Sequence, residues 1–414
     1  MQFIRKMQNP EQVSGPLMLI LHSTWAFYLC VNLAHTKLPL SSGGSALALW
    51  LVTAVYLWNR WRLKESLGSW RDYPATLWYL AFSIWLSATN FWTFAVWEGS
   101  DVQENVWRLV GVVFCLEVYL RRKGNLSIFF MLLLLSTSYF GVLYLATSPI
   151  ATWGDITMGG ITSQWRNAAG YYACFAAMLG AYVAVVKRYR TWPYVVFLIA
   201  FALITGSRKV ILHLGLGVLF LILFNWAFVL RIPKKYLIGG LIVLVLAVAV
   251  AYQIPQVKAV YGSRLLALIN FSIENSSRDE RIFFITKAWE MFVQRPLQGW
   301  GIDNFRSYLE FQKYWNVTYS HNNYTELLAN YGLVGFVLFY WLPVRRLLEA
   351  ARNLRKSSFA KFLFSLLTIY LILDVGTISY YYRITVILLV SLMTAVRQET
   401  QSPGGSLSDV EAIG

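Results

Sequence analysis

The residues best suited to chemistry lie together in the stretch "SHNNYTELLANYGLVGF". Four of them are polar and adjacent to a glycine-punctuated apolar segment: His321, Asn322, Asn323 and Glu326. A histidine with a pKa near neutrality can take a proton from an attacking hydroxyl. The same stretch also fits a helix N-terminus, in which Ser320 or Asn322 caps the helix and Glu326 completes a capping-box-like pair with Asn323. At this point both interpretations stand.

Cationic and acidic side chains occur at three further positions between apolar segments. "TGSRKVIL" places Arg208 and Lys209 in a connection only a few residues long. "SSRDERIFF" carries Arg278 and Arg281, and Asp374 lies in "LILDVGTISYYYR". Simpler roles exist for each: an interfacial anchor at Arg208, a solvated helix start around Arg281, and a paired carboxylate at Asp374.

One histidine with several arginines has a chemical logic. Arginine forks neutralise diphosphate oxygens with two parallel hydrogen bonds, and the histidine activates a hydroxyl. The combination suits transfer of a lipid-diphosphate-linked group to an alcohol without a metal. The sequence has no Asp-x-Asp pair, no Gly-x-Ser-x-Gly and no phosphate loop, so metal, serine or nucleotide chemistry has no support.

The remaining histidines and the cysteines favour structural roles. His22 and His213 lie within apolar segments, and His35 lies at the edge of one. None has the spacing of metal ligands. The cysteines also lie within apolar segments and are predicted to be free thiols: Cys30, Cys115 and Cys174.

The elements that position these residues are predicted to be membrane helices. The chain has 414 residues, of which 57% are hydrophobic and 14% charged, against about 25% charged residues in a soluble protein. The apolar residues fall in long blocks, which predicts an all-α polytopic membrane protein. About twelve spans follow from hydropathy: 15–35, 44–58, 76–97, 106–120, 126–148, 168–186, 190–206, 209–231, 236–253, 330–344, 358–376 and 382–397. We expect the first to be a retained span rather than a removed signal peptide.

The distribution of charge predicts the topology. One set of alternate connections is basic, including "RRKG", "KRYR" and "RIPKK", whereas the opposite set includes the acidic "EGSDVQEN". The positive-inside rule then puts the N-terminus and the basic connections in the cytoplasm. The net charge of +16 is therefore mostly a topology signal, and no nucleic-acid partner is expected.

This topology divides the chain into four parts. Spans one to nine occupy 1–253, an extracytoplasmic loop 254–329, and spans ten to twelve 330–397. Residues 398–414 are predicted to be a disordered cytoplasmic tail. The loop is too long for a simple connector. "DERIFFITKAWEMFVQRP" predicts an amphipathic helix, "PLQGWGIDNF" a turn and "FRSYLEFQKYW" a second short helix.

The second half of the chain, about 200–397, resembles the O-antigen ligase and polysaccharide repeat-unit polymerase superfamily. The matching pieces occur in the family's order. "TGSRK" opens a span, Arg281 stands fifteen residues before Pro296 of "RPLQGWGIDNF", and "SHNNYTELLANYGLVGF" follows. The His-Asn start with Glu and Gly-x-x-Gly is the most specific piece.

The resemblance implies an integral membrane glycosyltransferase of the C type. Its donor would be a saccharide on undecaprenyl diphosphate, held by Arg208 and Arg281, with His321 as the base. The reaction would invert the anomeric centre without a metal or cofactor. We expect further substrate-binding contacts from six residues: Lys209, Arg278, Asn322, Asn323, Glu326 and Asp374. Asp374 is similar to an essential aspartate of ligases, although its spacing to the following arginine differs.

Two branches of the superfamily fit the motifs. A polymerase extends a chain with lipid-linked repeat units, and a ligase moves the finished chain to lipid A core. "TGSRK" and "SHNNYTELL" look closer to capsule and exopolysaccharide polymerases, so a polymerase is expected. The expected partners are a lipid-linked saccharide donor, a saccharide or lipid-linked acceptor, the bilayer and a chain-length regulator.

The expected location is the bacterial cytoplasmic membrane, with the active site facing the periplasm or cell exterior. A transporter or flippase of lipid-linked sugars is a remoter alternative. That class predicts charges or broken helices near the bilayer midplane in two repeated halves. Here the notable charges cluster at one predicted face and in one loop.

Overall fold

Apolar blocks too long for strands fold as helices throughout the part of the chain that the computed structural model describes. That part comprises residues 15–34, 42–93, 101–122, 124–147, 163–186, 191–231 and 276–401. It contains thirteen α-helices and no strand, which confirms the all-α prediction for these residues. The helices are α1 (Gly15–Ala34), α2 (Ser42–Arg62), α3 (Pro74–Ala88), α4 (Val102–Leu120), α5 (Asn125–Thr147), α6 (Ser163–Val186), α7 (Trp192–Ile204), α8 (Arg208–Arg231), α9 (Ser276–Gln294), α10 (Asn304–Phe311), α11 (Asn323–Arg352), α12 (Ser358–Leu373) and α13 (Arg383–Gln401).

Several of these helices are suited to a bilayer. Among the described residues, α1, α5, α11 and the segment 358–376 are long and apolar enough to cross a membrane. α7 and most of α8 are apolar but shorter. A helix lies at each predicted span within the described ranges, and the count of twelve spans stays a prediction. The ninth predicted span, 236–253, and the first part of the predicted loop, 254–275, lie outside the described residues.

Two predicted boundaries differ from the structure. α11 begins at Asn323 rather than near 330, because the Asn322 side chain accepts hydrogen bonds from the backbone N–H groups of Tyr324 and Thr325. α13 continues to Gln401, beyond the predicted start of the tail at 398. Gln398 extends this helix by donating a hydrogen bond of 2.7 Å to the carbonyl of Leu120. The remaining tail, 402–414, lies outside the described residues.

α11 is the central helix of the C-terminal half. It packs against α3, α12 and α13 of the bundle and against the loop helices α9 and α10. α8 packs against α6 and α12. The residues of predicted functional interest therefore lie on elements that contact one another, although more than 160 residues separate Lys209 from Gly376, whose carbonyl accepts a hydrogen bond from the lysine.

The α11 backbone breaks at Gly332, which has φ +65° and ψ −170°. The turn 296–301 fills the break. The N–H of Leu333 donates to the carbonyl of Pro296 at 2.8 Å, and the N–H of Gly301 donates to the carbonyl of Asn330 at 2.8 Å. Backbone groups freed within an apolar environment must find partners in the protein, and this turn supplies them.

Gly299 of "PLQGWG" and Gly332 of "NYGLVGF" are explained by this close approach. A Cβ on Gly332 would lie 2.3 Å from the carbonyl oxygen of Leu297, and one on Gly299 would lie 2.5 Å from the backbone of Asn330. Both glycines also have positive φ, the region that side chains disfavour. The break thus fastens the loop helices to α11, close to its N-terminus.

Candidate active site

His321 occupies a strained turn immediately before α11. Its φ of +61° is in the left-handed region, which is uncommon for residues other than glycine. The residues on either side fix this conformation. Ser320 N–H donates a hydrogen bond of 2.6 Å to Glu326 Oε2, and the Ser320 hydroxyl donates to the carbonyl of Asn322 at 2.9 Å. Strain held in this way is typical of functional positions.

The His321 ring is half-buried among aromatic side chains. Its centroid lies 4.4 Å from that of Tyr319 and 6.0 Å from that of Phe284 on α9. Burial, together with the positive charges of Arg281 and Lys209, lowers the pKa of His321 to about 4. At neutral pH the imidazole is therefore uncharged and able to accept a proton.

Asn322 and Glu326 stabilise the turn that holds His321. Asn322 is the N-cap of α11, as the sequence predicted. Glu326 does not pair with Asn323 in the predicted capping-box manner, because its carboxylate accepts from Ser320 N–H and from Asn330 Nδ2 at 3.2 Å. Glu326 is almost fully buried, so it positions the turn rather than facing solvent.

Asn323 and Asp374 form a second buried network. Asp374 lies in the 3-10 turn Asp374–Gly376 that follows α12. Its Oδ2 accepts hydrogen bonds from the Tyr340 hydroxyl at 2.8 Å and from Asn323 Nδ2 at 3.4 Å. Asn323 Oδ1 in turn accepts from the N–H of Ser379 at 2.9 Å. The paired carboxylate expected at Asp374 is thus found, and it joins α11 to the segment after α12.

Lys209 connects the start of α8 to the same region. Its Nζ donates hydrogen bonds to the carbonyl of Gly376 and, at 3.0 Å, to Thr377 Oγ1. The turn before α8 is fixed by Gly206, with φ +61°, and by the Ser207 hydroxyl, which donates to Asn167 Oδ1 at 2.7 Å. Lys209 and Asp374 are also close enough to attract each other electrostatically.

Arg281 brings a cation from the loop to this site. It lies on the second turn of α9 with an exposed side chain, and its charge acts on both Lys209 and His321. Lys209 is therefore within electrostatic range of Arg281, His321 and Asp374. Arg208 and Arg278 lie in the first turns of α8 and α9, but their side chains lie outside the described part of the chain.

No motif predicted two residues of this region, Arg306 and Tyr319. Tyr319 lies beside His321, and Arg306 lies near Tyr319. Arg306 of α10 donates hydrogen bonds to Asp303 Oδ2 at 3.0 Å and to the Tyr381 hydroxyl at 3.3 Å. Its guanidinium also lies 5.9 Å from the centre of the Tyr319 ring. In the sequence, only Tyr319 directly before "SH" and the run "YYYR" at 380–383 could have indicated this cluster, and neither matches a motif.

The other histidines and the cysteines are structural where they are described. His22 forms a hydrogen bond of 2.6 Å with the Tyr119 hydroxyl, and the buried His213 packs on Phe175. His35 lies outside the described residues. The predicted free thiols are confirmed for all three cysteines.

Comparison with known families connects this geometry to a class of enzyme. Residues 193–340, from α7 to the middle of α11, match the family model described as O-antigen ligase. This part of the chain, about a third of its length, is similar to that family. The match confirms the resemblance of this segment to the O-antigen ligase and polymerase superfamily. No curated protein matches the chain.

Proposed function

We propose that the protein is a metal-independent, inverting glycosyltransferase that polymerises undecaprenyl-diphosphate-linked repeat units at the outer face of the cytoplasmic membrane. The observation that carries the proposal is the placement of a neutral, half-buried His321 next to Arg281 and Lys209. This set contains a proton acceptor and the cations that a diphosphate leaving group requires.

In the proposed reaction, a hydroxyl oxygen of the acceptor sugar attacks the anomeric carbon of the donor. A new C–O bond forms at that carbon as its bond to the diphosphate oxygen breaks. The bonding electron pair leaves with the diphosphate, and the hydroxyl proton passes to the imidazole of His321. A single displacement of this kind inverts the anomeric configuration.

The start of α8 supports an anion site. Arg208 and Lys209 stand in its first turn, where the helix dipole disfavours positive charge. A bound diphosphate would relieve that repulsion and would also meet the charge of Arg281. The arginine fork at 208 and the one at 281 are assigned to the diphosphate, with Lys209 and Arg278 as additional contacts.

Asn322, Asn323, Glu326 and Asp374 are assigned a positioning role in this proposal. Asn323, Glu326 and Asp374 are almost fully buried, and their polar atoms bond to the protein. They fix the His321 turn and the segment after α12, so they act on substrate through the shape of the site.

The opposite end of α11 supports the predicted orientation. After the break at Gly332, α11 continues to Arg352, about 30 Å of helix at the usual rise, enough to cross a bilayer. Its far end contributes to a recess that four arginines line: Arg71, Arg345, Arg346 and Arg397. Positive charge favours the cytoplasm, and this orientation would put His321 at the outer face.

The alternative is a ligase that transfers the finished chain to lipid A core, and the description of the matching family favours it. Both enzymes need the same base and cations. A transporter is expected to have broken helices, but the break at Gly332 does not favour that class, because the turn 296–301 already occupies it.

The test that separates a polymerase from a ligase is a purified reaction with undecaprenyl-diphosphate-linked repeat units alone. A polymerase gives a ladder of lengths and free undecaprenyl diphosphate, whereas a ligase gives product only when lipid A core is added.

A further inference from the structure

A cavity of about 330 Å³ opens beside the candidate active site. It lies between the start of α8, the segment after α12 and three elements of the N-terminal half: α1, α4 and α6. Lys209 and Tyr319 line it, and Tyr319 is also the closest aromatic neighbour of His321, with 4.4 Å between ring centroids. The cavity therefore reaches the residues assigned to the reaction.

The lining is rich in amides and tyrosines. Asn32, Asn105 and Asn167 come from α1, α4 and α6, and Tyr171, Tyr172 and Tyr382 surround them. Flat aromatic rings beside amide groups suit a sugar, which has apolar ring faces and many hydroxyl groups that both donate and accept. A diphosphate would instead require several uncommitted cations.

Arg383 also lines the cavity, and it already has hydrogen-bond partners. Its guanidinium donates to Asn105 Oδ1 at 2.6 Å and to Asn32 Oδ1 at 3.4 Å. These bonds fix α13 to α1 and α4 and use two of its five N–H donors. The arrangement presents a rigid polar wall rather than a mobile charge.

Tyr171 carries an unpaired buried hydroxyl beside the cavity. Its side chain is 3% exposed and lines the cavity, yet its hydroxyl has no hydrogen-bond partner within the described residues. A buried hydroxyl without a partner costs free energy. A sugar hydroxyl in the cavity would supply the partner.

The geometry points to a saccharide-binding subsite in this cavity, which holds the sugar next to the reacting atoms through the Tyr171 hydroxyl and Asn167 of α6. The N–H groups of the Asn32 and Asn105 amides already donate to protein atoms, so these two residues form the wall of the subsite. The inference rests on the proposed function and extends it. It gives the N-terminal half, which lies outside the matched residues 193–340, a part in substrate recognition.

The test uses the full-length protein in nanodiscs and two probes. One is the host's own repeat-unit oligosaccharide, released from its lipid by mild acid, and the other is undecaprenyl diphosphate without sugar. Tyr171→Phe should weaken oligosaccharide binding about fivefold to tenfold, the effect of one hydrogen bond, and leave undecaprenyl diphosphate binding unchanged. Tyr370→Phe is the matched control, because Tyr370 is fully buried and is not among the cavity's lining residues. It should change neither affinity.

A second variant fills the space directly. Ala168→Phe places a ring in the cavity from α6 and should abolish oligosaccharide binding, with thermal unfolding as the check that the protein still folds. Tyr171→Phe should raise thermal stability slightly, because it removes a buried hydroxyl that has no hydrogen-bond partner within the described residues. If wild-type protein does not bind the oligosaccharide, or if Tyr171→Phe binds it as tightly as wild type, the subsite is wrong.

A transfer assay with the free oligosaccharide as acceptor identifies which sugar occupies the subsite. A higher KM for this acceptor in Tyr171→Phe assigns the cavity to the acceptor. An unchanged acceptor KM with a higher KM for the lipid-linked donor assigns it to the donor. Binding requires no catalysis, so a protein that binds the sugar but forms no polymer contradicts the proposed function and leaves the subsite standing.

Discussion

The backbone N–H of Ser320 donates a hydrogen bond of 2.6 Å to the carboxylate of Glu326. This bond closes the turn that holds His321 in its left-handed conformation. A carboxylate inside the first turns of α11 thereby sets the position of the residue that precedes the helix. Glu326 is therefore a positioning residue, and its effect must pass through His321.

We predict that Glu326→Ala lowers kcat by roughly tenfold to a hundredfold, because misplacement of a base by about 1 Å can cost that much. Glu326→Gln retains a carbonyl oxygen that can accept from Ser320 and should recover most of the activity. Steady-state kinetics on both variants check this. Equal loss in the two variants would indicate a role for the charge instead.

The low pKa of His321 has a consequence for pH dependence. A general base acts when it is deprotonated, so it is active above its pKa, which is about 4 in the free protein. We expect the part of the kcat/KM profile that reports protonation of His321 in the free protein to be an acid limb that falls towards pH 4. An acid limb centred near the ordinary histidine value of about 6.5 would contradict the structure.

Bound donor should change that pKa. The diphosphate places negative charge next to the imidazole and offsets the charges of Arg281 and Lys209, which raises the pKa of His321 in the complex. The acid limb of kcat should therefore lie at higher pH than that of kcat/KM. Identical limbs in the two profiles would argue against a diphosphate at these cations.

Arg281→Lys tests the fork assigned to the diphosphate. A point charge does not replace two parallel hydrogen bonds, and the loss of a charge-assisted bond of about 1.5–3 kcal/mol corresponds to roughly tenfold to a hundredfold in kcat/KM. Arg345→Lys, on the exposed far end of α11, is the matched control and should be nearly neutral. Full activity of Arg281→Lys would indicate that Arg281 is only a solvated residue at the start of the helix and does not bind the diphosphate.

The close contact between Gly332 and the turn 296–301 predicts that a substitution at Gly332 lowers the stability of the protein rather than changing the chemistry. Gly332→Ala combines a positive φ with a Cβ 2.3 Å from a backbone oxygen, which should cost on the order of 2–5 kcal/mol. Gly215→Ala in α8 is the control, because a Cβ there meets nothing within 4 Å, and alanine favours helix by about 1 kcal/mol. Thermal unfolding in detergent measures both. Equal melting temperatures would contradict the close approach at Gly332.

Local pattern was enough to predict most of the helices and the loop elements α9 and α10. Apolar blocks and helical spacing are read from neighbouring residues, and so is the cap at Asn322. The unusual charges at apolar boundaries also predicted Lys209 and Asp374 as site residues, and the family resemblance added Arg281 and His321. Their roles stay predictions.

The sequence could not predict contacts between distant segments. The break at Gly332 depends on the turn 296–301, which donates and accepts the missing backbone bonds. The cavity is formed by Asn32, Tyr171 and Arg383, which are far apart in the chain and match no motif. Only the packing of α1, α4 and α6 against the segment after α12 brings them together.

In the proposed reaction, His321 accepts the proton of the attacking hydroxyl. The most direct measurement is the rate of polymer formation by purified His321→Gln with undecaprenyl-diphosphate-linked repeat units, alongside binding of undecaprenyl diphosphate to the same protein. His22→Gln, which removes a histidine from α1, is the control and should remain active. We predict that His321→Gln loses roughly a hundredfold to ten-thousandfold in kcat while it still binds undecaprenyl diphosphate. A His321→Gln protein that polymerises at the wild-type rate would contradict the account.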